Sequence, residues 1–183
     1  MSKHKKSKHE AGGKKKLRKG RVEAVERIGE QFQLIEISAK ACRDVKWQPG
    51  MKIKIDVGEG ETRSYTPITI DAESGRIQIL AYIHGDSPGS QWALAVVAGD
   101  KTHTSVPSSS LPFDDLRAPI AFFGDETSFG TAKNLQLHVG SAFPTYCVFV
   151  LLTIRSGPPA MFNFGSPVSL SCLVSPSFRA LCI

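Results

Sequence analysis

Two short stretches carry side chains whose types and spacing could do chemistry: Arg63-Ser64-Tyr65-Thr66-Pro67 and His84-Gly85-Asp86-Ser87-Pro88-Gly89-Ser90-Gln91-Trp92. In an extended segment residues i and i+2 share a face, so Arg63 and Tyr65 point one way while Ser64 and Thr66 point the other. An arginine fork can bond two phosphate oxygens at once. A tyrosine beside it offers a flat surface on which a ring can stack. The second stretch is a Gly/Pro/Ser loop that leads into a predicted short helix over 90–98, ended by Gly99. Ser90 is the expected N-cap, and Gly89 before it lets a ligand approach the backbone closely. Free amides at such a helix start, with the dipole behind them, suit a pyrophosphate. A strand arginine facing a helix start, with an aromatic ring alongside, is a dinucleotide-shaped site. The plainer alternative is an exposed strand arginine beside an ordinary capping loop, with His84 structural and Trp92 anchoring its helix.

The elements that must hold these residues are strands. Segments 21–28 and 51–57 alternate apolar and polar residues, and 32–37 does so less cleanly. The Arg63 segment, 76–83 and 101–106 complete six short strands separated by Gly/Pro turns. Gly58-Glu59-Gly60-Glu61 reads as a hairpin turn rather than a phosphate loop, because strands flank it on both sides. The spacing predicts an antiparallel, Greek-key-like β-barrel over 18–113, capped at one end by the short helix. Beyond a linker at 111–115 the pattern changes. Segment 119–123 is a continuous apolar run, as expected of a parallel strand buried on both faces. Gly124-Asp125-Glu126-Thr127 turns out of it, 128–137 is a helix candidate, and 146–154 is a second buried strand. Strand, helix, strand over 116–154 predicts the start of an α/β nucleotide-binding domain, left incomplete.

Charge divides the chain differently. The net charge of the 183 residues is +6, yet residues 1–21 alone hold ten Lys/Arg against one Glu. The remainder is mildly acidic. Residues 1–17 read as a disordered basic tail, a solvated extension or a tether to nucleic acid or another anionic surface. They contain no apolar h-region and so do not read as a secretory signal. No run approaches the roughly 18 apolar residues of a membrane span. The four cysteines form no C-x-x-C pair, which argues against an iron–sulfur cluster, a zinc ribbon or a disulfide scaffold. The histidines show no metal-ligand spacing, and no Ser-His-Asp or paired-carboxylate arrangement supports hydrolysis. A reduced, cytoplasmic monomer is the expectation. After Glu126 no acid occurs, and residues 155–183 carry four Pro and six Ser, an atypical tail without a clear helix.

The motifs also resemble a known family. R-S-Y-T-P at 63–67 looks like the R-x-Y-[S/T] flavin signature of the ferredoxin-reductase-like FAD-binding enzymes. H-G-D-S-P-G-S-Q-W-A at 84–93 looks like the H-G-x-x-G-P-x-x-x-W-A stretch of their siderophore-interacting branch, with Pro and Gly exchanged. F-F-G-D-E-T-S at 122–128 is similar to that branch's G-D-E-T segment. The three stand in the family's order and approximate spacing, and the resemblance covers roughly 18–150.

It implies an oxidoreductase that passes electrons from NAD(P)H through FAD to a ferric siderophore and loosens its iron. Arg63 would bind the FAD pyrophosphate, Ser64 would contact the cofactor, and Tyr65 would stack on the flavin. Thr66, the catalytic candidate, would offer its hydroxyl near N5. His84, Gly85, Ser87, Gly89 and Ser90 would complete the FAD site, and Gly124, Asp125, Glu126 and Thr127 would receive the nicotinamide nucleotide. From about Leu151 the sequence departs from the family, as a shifted reading frame or a substituted terminus would produce; the alternative is a genuine divergent tail. The resemblance therefore implies an atypical or truncated nicotinamide domain and slow reduction by NAD(P)H, or none. The alternative function is a basic-tailed barrel that binds nucleic acid or a protein without catalysis.

Overall fold

A computed structural model describes residues 17–114, 116 and 120–139, and the backbone of 145–149, 169–172 and 181–182. The alternating segments become β1 (Arg18–Ile28), β2 (Phe32–Ala39), β3 (Ile53–Gly58), β4 (Glu61–Tyr65), β6 (Arg76–Tyr82) and β7 (Lys101–Thr104). A further strand, β5 (Thr69–Asp71), was not expected, because three residues are too few to show a period. The short helix α1 spans Pro88–Ala95 instead of 90–98. Proline has no N–H to lose and a φ preset for the first helical position, so the helix begins at Pro88.

The seven strands form one antiparallel sheet in the order β4-β3-β7-β1-β2-β6-β5. β7 returns late in the chain to lie between β1 and β3, which is the Greek-key element of the topology. The two outermost strands, β4 and β5, are joined by residues 66–68 alone. Four Cα steps reach at most about 14 Å, whereas six flat strand spacings would separate these edges by about 29 Å. The sheet must therefore curl, and it closes around a dense aliphatic core. Val22, Ile35, Ile37, Ile53, Ile55, Ile77 and Ile79 are fully buried there, with Ala93 and Val96 plugging one end from α1 and just after it. β-branched side chains at every second position suit a pleated surface packed on one face.

After the barrel come β8 (Ile120–Gly124), α2 (Phe129–Val139), β9 (Thr145–Phe149), β10 (Ser169–Cys172) and β11 (Leu181–Cys182). β8, β9 and β10 are parallel, β11 is antiparallel to β10, and the order is β11-β10-β9-β8. A parallel β8–β9 pair needs a crossover, and α2 supplies it. Of the expected tail at 155–183, residues 169–172 and 181–182 extend this sheet, while the rest lies outside the described residues, as do 1–16 of the basic segment. The second half of the expected strand at 146–154 also lies outside them. One expectation is corrected: β8 is not buried on both faces. Ile120 packs with Phe113, Leu135 and Val139, but Ala121 is exposed and Phe123 is 73% exposed. α2 covers one side, and among the described residues no second helix covers the other.

Candidate functional site

β4 and the start of α1 meet as their sequences suggest. The glycine at position 89 faces the side chains of β4. A Cβ there would lie 3.2 Å from Arg63 Cγ and 3.6 Å from the Tyr65 hydroxyl. A side chain at that position would crowd the Arg63 stem, which would have to give way by a few tenths of an ångström. Arg63 is half-buried along its stem and reaches Glu61 Oε2 at 2.7 Å, with the two side chains 40% and 49% exposed. Its Nη1 also donates to the Thr62 carbonyl at 3.1 Å. Glu61 is a neighbour the sequence reading missed, although its i−2 position on the same strand face is the signal. So exposed a pair contributes little to stability, and an anion of higher charge can take the carboxylate's place. Burial pushes the Tyr65 hydroxyl up to about 12, against the opposing pull of the Arg63 charge, so Tyr65 is a neutral ring. It sits beside Trp92, ring centroids 6.2 Å apart. Ser64 points outward and is exposed.

The capping arrangement differs from the expectation. Ser87, not Ser90, is the N-cap, and its Oγ accepts the Ser90 N–H at 3.3 Å. Ser90 is only 2% exposed and is occupied by the loop: its Oγ donates to the His84 carbonyl at 2.8 Å and accepts the His84 N–H at 3.0 Å. Pro88 lacks an N–H and Ser87 caps the Ser90 amide, so the amide of the buried Gly89 takes no part in the cap. The hydroxyls expected in a phosphate cradle are spent inside the loop, since Ser87 Oγ donates to Ser90 Oγ at 3.0 Å and Ser90 Oγ to the His84 carbonyl. Gly85 turns the loop at φ +53, a conformation glycine adopts without strain. His84 is exposed and stacks on Tyr82, centroids 5.1 Å apart and planes 19° from parallel.

Thr66 follows the end of β4 at the seam between the barrel and α2. Its Oγ1 accepts from Thr131 Oγ1 at 3.4 Å. Gly130 packs directly on it, since a Cβ on Gly130 would overlap the Thr66 carbonyl oxygen. One turn on, Asn134 is 1% exposed and bridges the two parts. Its Nδ2 donates to the Pro67 carbonyl at 2.6 Å and to the Gly130 carbonyl at 2.8 Å, and its Oδ1 accepts the Gly50 N–H at 3.3 Å. Sequence reasoning missed both residues. Two poor helix formers four apart on one helix face were the available signal.

The Gly124–Thr127 turn is closed on itself. Asp125 Oδ1 accepts the Thr127 N–H at 2.9 Å, Thr127 Oγ1 at 2.6 Å and Ser128 Oγ at 3.0 Å, while the Asp125 N–H donates to Ser128 Oγ at 3.3 Å. Partial desolvation raises the Asp125 carboxyl, but the hydrogen bonds from Thr127 and Ser128 outweigh it and hold it below the usual range. Gly124 is required because a Cβ there would come within 2.6 Å of the Ser128 side chain. Glu126 turns the other way and is buried, its carboxylate hydrogen-bonded to the Tyr82 hydroxyl; burial first and Glu126 second push that hydroxyl up. Phe129 packs edge-on against Phe32, which packs on Tyr82. The structure thus gathers Arg63, Tyr65, Thr66 and Gly89 at one side of the seam. It links Glu126 to Tyr82 and His84, and leaves Asp125 and Thr127 as a cap. Among the described residues no group of three His, Cys, Asp or Glu could hold a metal ion, and no helix is long and apolar enough to cross a membrane.

Residues 56–111 match the model of the siderophore-interacting FAD-binding domain. This window holds β4, α1 and the two stretches 63–67 and 84–93. No curated protein matches the chain. Among solved structures, the siderophore-interacting protein of Acinetobacter baumannii is similar at TM-score 0.70 and 16% identity, over 87% of this chain and 68% of that one. Phthalate dioxygenase reductase, described as transferring electrons from pyridine nucleotides to [2Fe-2S], is similar at TM-score 0.60 and 14% identity, over 88% and 61%. An intact type IV self-sufficient cytochrome P450 monooxygenase shares the fold at TM-score 0.63 and 19% identity, over 73% of this chain and 18% of its own length. The chain thus spans between about a fifth and two thirds of these proteins. The fold is that of the ferredoxin-reductase-like FAD-binding proteins, and the family match points within it to the siderophore-interacting branch. At identities below 20% these structures show the fold, and the family match, to an FAD-binding domain, covers residues 56–111.

Proposed function

We propose that the chain holds FAD on its barrel and passes reducing equivalents from NAD(P)H to a ferric siderophore. The observation that carries the reading is the packing of a glycine helix start on an arginine strand: a Cβ on Gly89 would lie 3.2 Å from Arg63 Cγ, so the arginine and the first turn of α1 adjoin with no side chain between them. The two donors a pyrophosphate requires are of these kinds, a guanidinium and a backbone N–H at the positive end of a helix. Arg63 and Gly89 would bind the diphosphate, with the Ser87 hydroxyl beside them. Tyr65, held neutral and half-buried, would lie against the ring system, and Thr66 would present its hydroxyl at the ring edge. His84, stacked on Tyr82, extends this aromatic wall. FAD in such a site supplies the exchange between a two-electron donor and a one-electron acceptor. One NAD(P)H, oxidised with release of a proton, carries the electrons that reduce two ferric ions to ferrous. The nicotinamide side of the reading rests on the β8-α2-β9 unit and on the resemblance of 122–128. The self-capped Asp125 and Thr127 leave few side-chain donors there.

The test is a titration of the purified full chain with FAD, followed by NADPH or NADH and a ferric siderophore with a coloured ferrous chelator. Saturable micromolar FAD binding, and ferrous iron appearing only when donor and FAD are both present, is the expected result. No FAD binding would remove the whole reading. FAD binding without ferrous iron would remove the siderophore and keep the flavoprotein.

A further inference from the structure

We infer that Asn134, backed by Gly130, is a positioning residue for the flavin site, bolting α2 to the barrel where β4 ends and fixing the place of Thr66. The inference rests on the FAD reading above and deepens it. The three partners of Asn134 identify it as a bolt rather than a filler. Gly50 lies just before β3 and Pro67 just after β4, so both stand at the open end of the β3–β4 hairpin that carries Arg63 and Tyr65. The third partner, the Gly130 carbonyl, belongs to α2 itself. One buried amide therefore joins both chains of the hairpin to the helix.

The types of the partners also fix which way the amide faces. Two carbonyls meet the NH₂ group and one N–H meets the oxygen, and a flipped amide would lose all three bonds. Few side chains substitute. Aspartate would face two carbonyls with negative charge, and leucine or alanine would leave the Gly50 N–H and the Pro67 carbonyl buried without partners. Gly130 matters for the same contact. Only without a Cβ can α2 come onto the Thr66 carbonyl, and that approach brings Thr131 Oγ1 within 3.4 Å of Thr66 Oγ1. Thr66 is followed by the fully buried Pro67, so its backbone is held on one side by the ring and on the other by α2. The hydroxyl that the FAD reading places at the ring edge is aimed by residues 64 and 68 positions away along the chain from Thr66.

A positioning role differs from a general stabilising one in acting through Thr66. The experiment is a double-mutant cycle on the FAD-loaded full chain, comparing the parent, Asn134→Ala, Thr66→Val and the double variant. The quantity read is the midpoint potential of bound FAD by equilibration with reference dyes, with circular dichroism confirming that each variant is folded. We expect Asn134→Ala to change the reduction equilibrium by up to about tenfold, the worth of one hydrogen bond. In the Thr66→Val background the same substitution should change it little. Should Asn134→Ala not fold, Gly130→Ala carries the same cycle, since its added methyl presses on Thr66 from the other member of the pair. An equal shift in both backgrounds, or an unchanged potential in a folded Asn134 variant, would overturn the inference alone. Failure of the parent to bind FAD would overturn the FAD reading, and this inference with it.

Discussion

At the start of α1, Pro88 has no N–H, the Ser87 hydroxyl caps the Ser90 amide, and Gly89 packs on the Arg63 stem. At the turn before α2, the Asp125 carboxylate takes the Thr127 amide, the Thr127 hydroxyl and the Ser128 hydroxyl together. Both segments combine glycine, serine or threonine, and an acid, and both read in sequence as nucleotide contacts. The difference lies in where the acid sits. Asp86 is exposed in the loop before α1 and is not the cap, which leaves that task to the shorter serine. Asp125 is the cap itself, and one of its oxygens, Oδ1, accepts all three bonds that close the turn. A helix start left partly uncapped can receive an anion, whereas a start that holds its own carboxylate repels one. On the proposed reading the start of α1 is the binding end, while the Gly124–Thr127 turn spends its carboxylate on its own cap.

The strongest way to break this comparison is at Arg63. Arg63→Ala should weaken FAD binding by about ten- to a hundredfold, the loss of a charge-assisted contact of roughly 1.5–3 kcal/mol. Its melting temperature should hardly move, because its ion pair with Glu61 is exposed. Equal FAD affinity by calorimetric titration would take Arg63 out of the site. Gly89→Ala comes next. The added Cβ, 3.2 Å from Arg63 Cγ, should weaken FAD by a smaller factor, about three- to tenfold on the scale of one contact. In the same protein α1 should gain a few tenths of a kcal/mol of intrinsic stability or more. Affinity and thermal stability moving in opposite directions is the signature to look for, and a joint fall would mean the glycine serves packing only.

Asp125→Ala sharpens the other half. Loss of the cap should cost about 0.5–2 kcal/mol of stability, while FAD affinity stays within about twofold of the parent, well inside the scatter of one contact. Were FAD affinity to fall as far as in Arg63→Ala, the turn would be a binding element after all. The smallest effect is in pH. The folded Asp125 carboxyl is lowered below its ordinary value, so its contribution to stability is complete above the unfolded pKa and fades as pH falls through the folded one. Melting temperatures of Asp125→Asn followed from pH 5 to lower values should therefore fall less steeply than those of the parent. Parallel curves would show that the carboxylate is not the group that binds the turn.

Much of the barrel could be read in advance, and the reason is local. Ile53-Lys54-Ile55-Asp56-Val57 and Arg76-Ile77-Gln78-Ile79-Leu80 alternate because one face of each strand must meet the core, and a period of two survives in any window of five residues. β5 escaped because three residues show no period, and β8 misled because an apolar run does not say which of its faces is covered. Arg63, Tyr65 and Gly89 were legible because strand alternation and the needs of a helix start act within a few residues. Ser90 was mistaken for the cap because two serines three apart both fit that role, and Pro88 decides between them.

Residue order alone, then, set the strands, the turn glycines and the glycine-bearing helix start. Each depends on steric and hydrogen-bonding rules that operate within one element. Tertiary structure alone settled the partners of Asn134, which lie 67 and 84 residues away at Pro67 and Gly50, and the burial of Glu126 against Tyr82. It also settled that Gly130 carries no side chain because the Thr66 carbonyl occupies the space. A buried amide or carboxylate is stable only once its partners have arrived, and no local pattern in α2 records which carbonyls the curled barrel will bring to it.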